Sequence, residues 1–175
     1  MSLPEKKATR HDSFWWLFFL VFFLSGPSCG RNSKGGDDPL IPPPPTNTFT
    51  NPLLPSGPDP WIVEKDDVYY YTHTLGNRIS LWKTIKVSEL KNVTGKPVWY
   101  APSGGANSQN VWAPELHYLD NKWYLYYTAG AGDLGTQRTF VLENASADPL
   151  SGTWTDKGKI GDPAANYFAI DGTIL

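Results

Sequence analysis

A unit of strand, tight turn and strand occurs twice in this chain, and that repetition limits the fold more than any other feature. The first copy runs from Trp61-Ile62-Val63 through the polar turn Lys65-Asp66-Asp67 into Val68-Tyr69-Tyr70-Tyr71-Thr72. The second runs from Leu116-His117-Tyr118 through Asp120-Asn121-Lys122 into Trp123-Tyr124-Leu125-Tyr126-Tyr127-Thr128. Aromatic and β-branched residues suit a pleated, half-buried surface, so these runs read as strands. At an offset of 55, Trp61 falls on Leu116, Asp66 on Asn121, Tyr69 on Tyr124 and Tyr71 on Tyr126. This alignment predicts those four tyrosines as core. At an offset of about 60, Arg78–Lys83 falls on Arg138–Glu143, and each copy is followed by a polar stretch and a tryptophan, Trp99 and Trp154.

Helical periodicity is absent, so the class is all-β. A period of about 55 residues holding four short strands is the signature of a β-propeller blade. A β-sandwich would space its strands at roughly 8–12 residues with no long period. A third unit opens at Ala169–Leu175, and Asp171 lies 112 residues after Asp59, close to twice the repeat. The innermost strand of each blade lines the central channel. Residues at the blade starts therefore converge on one end of the axis. Those starts are Gly57-Pro58-Asp59-Pro60-Trp61, Trp112-Ala113-Pro114-Glu115 and Ala169-Ile170-Asp171-Gly172. Each carries a carboxylate within one position of a common register. Carboxylates crowded at a concave mouth tune one another's ionisation, as acid/base chemistry requires. An Asp before a proline is also a common turn former, so only the three together point to a site.

These motifs, Gly57-Pro58-Asp59-Pro60-Trp61, Trp112-Ala113-Pro114-Glu115-Leu116-His117 and Ala169-Ile170-Asp171-Gly172-Thr173, resemble glycoside hydrolase family 43, the five-bladed propeller enzymes. The stretch Val141–Leu150 followed by Gly152-Thr153-Trp154 resembles members acting on arabinose-containing polysaccharides. The resemblance implies a five-bladed β-propeller of which this chain holds about two blades and the start of a third. It implies inverting hydrolysis of α-L-arabinofuranosides or β-D-xylosides. Asp59 matches the general base, and Asp171 matches the carboxylate that raises the pKa of the acid and orients it. The acid itself is a glutamate of the next blade, expected beyond Leu175; Glu115 and Glu143 do not replace it. Glu115 takes a supporting, substrate-side role. Trp61 and Trp112 flank the carboxylates and are the candidates for stacking on a sugar ring, with blade packing as the competing role. Some members hold an ion in the channel, so a structural calcium is the one inorganic partner implied, with its ligands further along the chain. No organic cofactor is implied. Residues 53–175 alone would expose a blade face and a strand edge, and are expected to be poorly soluble and without turnover. A non-catalytic glycan-binding lipoprotein and a retaining, fructan-cleaving propeller are the alternatives. The paired carboxylates oppose the first, and the WAPE and AIDG segments oppose the second.

Upstream of the repeat, Lys6, Lys7 and Arg10 precede an 11-residue apolar run, Phe14 to Leu24. A spanning helix needs roughly 20 such residues, so this run fits the core of a secretory signal. Small residues then lead to the lone cysteine, Cys29. The pattern resembles a bacterial lipoprotein signal over residues 1–29, with Cys29 lipidated and the protein secreted to the cell surface or outer membrane. Residues 30–52 are Pro/Gly-rich, and Pro42 to Pro45 stiffen them into a spacer. One cysteine permits neither a disulfide framework nor a Cys-rich zinc site. His73 and His117 are too few and too far apart in the repeat to make a metal site. A net charge of -2 excludes a nucleic-acid partner on electrostatic grounds. Gly130–Gly135 is glycine-rich but opens no helix, so it is not a phosphate loop.

Overall fold

The computed structural model describes residues 48–164 and 166–174. The signal-like segment, Cys29 and most of the spacer lie outside the described residues. Among the described residues, no helix is long and apolar enough to cross a membrane.

Eight strands follow in order: β1 (Trp61–Lys65), β2 (Val68–Thr72), β3 (Arg78–Thr84), β4 (Lys96–Tyr100), β5 (Gln109–Leu119), β6 (Lys122–Gly130), β7 (Arg138–Asn144) and β8 (Thr155–Lys159). A 3-10 helix, Val87–Asn92, links β3 to β4. The strands form two antiparallel meanders, β1-β2-β3-β4 and β5-β6-β7-β8. Each inner hairpin closes on a two-residue turn. Asp66 and Asp67 have φ of 54° and 61°, and Asp120 and Asn121 have 49° and 61°. Such turns need the left-handed region at both central positions, and Asp and Asn tolerate it better than other side chains.

The two sheets pack face to face. Tyr70, Ile79 and Leu81 of the first meet Val111, Leu116, Trp123, Leu125, Tyr127, Phe140 and Leu142 of the second. Trp123 is fully buried, with its ring 5.0 Å from Tyr70 and 4.8 Å from Tyr118. Polar ties reinforce the interface. Gly76 and Val111 exchange backbone hydrogen bonds of 3.1 and 2.9 Å. The Trp61 indole donates to the Leu116 carbonyl at 2.9 Å. The loop between β7 and β8 is pinned by two indoles, Trp123 onto the Ala147 carbonyl and Trp154 onto the Pro149 carbonyl. That loop reaches the first sheet through Lys83–Asp148 at 2.7 Å and through Lys96 onto the Leu150 carbonyl. Burial works against the Asp148 carboxylate, but the Lys83 and Leu150 donors outweigh it and hold its pKa below the ordinary value. The stretch Val141–Trp154 thus acts here as a clamp between sheets.

The register differs from the sequence alignment by one residue. Lys65 pairs with Val68 and Leu119 with Lys122, so the inner hairpins are 54 residues apart (119 less 65). A one-residue slip exchanges the two faces of a strand. Tyr70, not Tyr69, is therefore the counterpart of Tyr124, and the interface core is Tyr70, Trp123, Leu125 and Tyr127. Tyr69, Tyr124 and Tyr126 are only half-buried. Tyr71 is buried on the opposite face of the first sheet, 5.7 Å from Trp82. The outer hairpins keep the offset of 60, since Tyr71 pairs with Trp82 and Leu125 with Leu142. Trp99 and Trp154 are not equivalent: Trp99 lies within β4 and packs tilted against Tyr127, whereas Trp154 precedes β8. Ala169–Ile174 form no strand. The segment crosses the ends of β6 and β7, with the Ala169 N–H on the Gln137 carbonyl at 3.1 Å.

His73 sits in the Tyr71 cluster, 4.7 Å from Trp82, with Nδ1 lacking a hydrogen-bond partner. Burial first, and then the Arg78 charge, push its pKa below 6.5. A lowered folded-state pKa means the unfolded chain takes up the proton first as pH falls. Stability is therefore full above pH 6.5 and declines below it, until the folded-state pKa is reached. Thermal melts of the parent chain at stepped pH should show this decline, and His73→Phe should largely remove it. An unchanged pH dependence in that variant would exclude His73 as its source.

Candidate active site

The beginnings of β1 and β5 lie side by side, and the chain after β8 returns to the same end of the sheets. A cavity of about 200 Å³ opens there, lined by Asp59, Pro60, Trp61, Ala113, Pro114, Glu115 and Asp171. Asp59, Glu115 and Asp171 are thus drawn together from positions as much as 112 residues apart. A larger apolar groove of about 420 Å³, lined by Leu53, Leu54, Tyr71 and Leu90 among others, contains no carboxylate.

The carboxylates do not share one register, however. The blade-start positions are marked by left-handed backbone: Asp59 at φ 51°, Ala113 at 41° and Asp171 at 53°. Asp59 and Ala113 are separated by the hairpin spacing of 54 (113 less 59). Ala113, not Glu115, is therefore the counterpart of Asp59. Glu115 stands two residues further along β5 and is the counterpart of Trp61.

Each lining side chain is fixed differently. The Thr74 hydroxyl holds the Asp59 carboxylate at 2.7 Å. Glu115 is paired with His117 Nε2 at 3.1 Å, and both are mostly buried. The Trp61 ring covers His117 at a centroid separation of 5.1 Å, and Tyr126 meets His117 edge-on at 5.6 Å. The Asp171 N–H donates to the Thr128 hydroxyl at 3.2 Å. Trp61 both lines the cavity and ties the sheets through its indole N–H. Trp112 is half-buried on β5 and does not line the cavity. Glu143 lies elsewhere, on β7, where hydrogen bonds from Lys122 and Tyr124 hold its carboxyl below the ordinary range.

Sequence reasoning missed Thr74, His117 as the partner of Glu115, and Thr128. Thr74 and Thr128 are separated by 54 (128 less 74), so the correct hairpin spacing would have aligned them. Among the described residues, no group of three or more His, Cys, Asp or Glu is placed to hold a metal ion. Glu115 and His117 supply two donors already committed to each other, so the residues present do not fit a channel ion.

Known proteins match this chain in sequence and in fold. The sequence model described as Glycosyl hydrolases family 43 matches residues 49–175. An extracellular exo-alpha-(1->5)-L-arabinofuranosidase of Streptomyces avermitilis is 39% identical over 132 residues, covering 73% of this chain and 27% of that protein. Alpha-L-arabinofuranosidase 43 of Humicola insolens is 36% identical over 130 residues, again 73% of this chain and 27% of the relative. The crystal structure of an alpha-L-arabinofuranosidase from Lactobacillus brevis superposes with a TM-score of 0.67 at 31% identity, over 73% of this chain and 43% of that one. The chain thus spans less than half the length of these relatives. Its two sheets are two blades of a five-bladed propeller. With the blade motifs, the fold and the matched residues in agreement, the chain belongs to glycosyl hydrolase family 43.

Proposed function

We propose that the whole protein hydrolyses glycosidic bonds of arabinose-containing polysaccharides with inversion at the anomeric carbon. The observation that carries this reading is the convergence of Asp59, Glu115 and Asp171 on one small cavity at the blade starts. Asp59 acts as the base. Its carboxylate takes a proton from a water molecule as that water attacks the anomeric carbon. A glutamic acid of the following blade protonates the leaving oxygen, so one proton is gained and one given. Base and acid must stand ~6.5–9.5 Å apart to admit the water, and separate blades of a rigid propeller can hold that gap. Asp171 raises the pKa of the acid and orients it. Glu115, held by His117, and the Trp61 face provide sugar contacts, and Trp112 adds a second aromatic candidate. The Streptomyces avermitilis relative's name supports arabinose as the sugar and secretion as the route. The protein is tethered by lipid on Cys29 and held off the membrane by the spacer 30–52.

The test is proton NMR of the first turnovers on an aryl α-L-arabinofuranoside and on 1,5-linked arabino-oligosaccharides. Inversion makes the β-anomer of arabinose appear first. First appearance of the α-anomer would replace inversion by the retaining mechanism. Preference for an aryl β-D-xyloside would reassign the sugar. Binding of arabino-oligosaccharide without any hydrolysis would favour the glycan-binding alternative.

A further inference from the structure

We propose that Thr74 is the positioning residue for Asp59, and that it sets this carboxylate against the second blade through one shared hydroxyl. The inference rests on the reading of Asp59 as the base. Thr74 follows the end of β2, and its own N–H donates to the Pro58 carbonyl at 3.0 Å. Its hydroxyl accepts the Ala113 N–H at 2.7 Å and lies 2.7 Å from Asp59 Oδ2. A hydroxyl has one proton and can accept through its lone pairs, whereas an amide N–H only donates. The Ala113 bond therefore leaves the hydroxyl proton for Asp59, and the polarity of the pair is fixed.

The arrangement constrains the base in two ways. One carboxylate oxygen is engaged by Thr74, leaving Oδ1 the freer oxygen to take a proton from water. The same hydroxyl links Asp59 to Ala113, which lines the cavity beside Glu115. A rotation of either blade that stretches this link disturbs the base directly. The second blade repeats half of the device. Thr128, at the same place in its hairpin, is fully buried and accepts the Asp171 N–H at 3.2 Å. Each threonine thus accepts the backbone N–H of the following blade start, at Ala113 and at Asp171. Only Thr74 also reaches a carboxylate. The shared half explains how blade starts are held; the extra bond at Asp59 is specific to the proposed base.

The test compares Thr74→Val with Thr74→Ser in the whole protein. Valine keeps the branched shape and loses both hydrogen bonds, whereas serine keeps the hydroxyl. Thr74→Val should lower kcat by about 10- to 100-fold, the scale on which small misplacements of reacting groups act, with KM little changed. Thr74→Ser should restore most of kcat. A loss shared equally by both variants, or a rise in KM at constant kcat, would overturn the positioning role. Asp59→Asn run in parallel separates the two claims. If Asp59→Asn is inactive and Thr74→Val is fully active, only this inference falls; if Asp59→Asn stays active, the assignment of the base falls. Amide hydrogen exchange on the whole protein adds a readout independent of turnover. Thr74→Val should speed exchange at Ala113 while leaving the Gly76–Val111 pair protected. Unchanged protection at Ala113 would overturn the clamp itself.

Discussion

Asp59→Asn in the whole protein is expected to lower kcat on an aryl arabinofuranoside by roughly 10²- to 10⁴-fold, the usual contribution of a positioned base. KM and the melting temperature should scarcely move. Asparagine is the right probe for structural reasons. Asp59 lies in the left-handed region at φ 51°, which Asn tolerates and a bulkier or branched residue does not. The amide oxygen can still accept from Thr74 as the carboxylate does. Backbone and hydrogen bond are kept, and only the basic oxygen is lost. Steady-state kinetics with a circular-dichroism melt on the same sample make the check. Activity comparable to the parent protein would remove Asp59 from the mechanism.

Trp123→Ala should have the largest effect on folding. The ring is fully buried, meets Tyr70 of the neighbouring blade, and anchors the β7–β8 loop through the Ala147 carbonyl. Large-to-small substitution of a buried tryptophan costs about 3–5 kcal/mol. Domain stability is only about 5–15 kcal/mol in all, so the variant should be largely unfolded or insoluble at 37 °C. Trp99→Ala, at a half-buried residue packed against Tyr127, should be milder. Denaturant melts that rank the two in the opposite order would contradict the placement of the interface.

The hairpins, their turns and the convergence of Asp59 and Asp171 were legible because each has a local cause. Paired Asp-Asp and Asp-Asn turns between aromatic runs fix a hairpin wherever they occur. The face each strand presents was not legible. Val68–Tyr71 and Trp123–Tyr127 are aromatic or aliphatic at every position, so no alternation of polar and apolar residues marks the register. The alignment is free to slip by one, so of the four tyrosines it marks as core only Tyr71 is buried, and on the face away from the second blade. The same slip made Glu115 seem equivalent to Asp59. Thr74 carried no signal of its own, since a lone threonine after a strand is common. Only the blade geometry gives it two partners.

The two hairpin offsets, 54 inside and 60 outside, differ by six residues, and that excess lies in the end of the second-to-third-strand hairpin, between the counterparts of Thr72 and Arg78. In the first blade the connection is the short His73–Asn77 turn; in the second, β6 runs four residues past the counterpart of Thr72 before the slightly longer Ala131–Gln137 turn. Both turns lie at the end of the sheets where the carboxylates meet, yet the longer one leaves its blade start in the same left-handed backbone as the shorter. Doubling a loop costs only about 0.6 kcal/mol in closure entropy. The scaffold can therefore accept insertions and deletions around the rim of its cavity while the carboxylates stay in place. If the proposed function holds, new substrate preferences can be grafted there without rebuilding the blades.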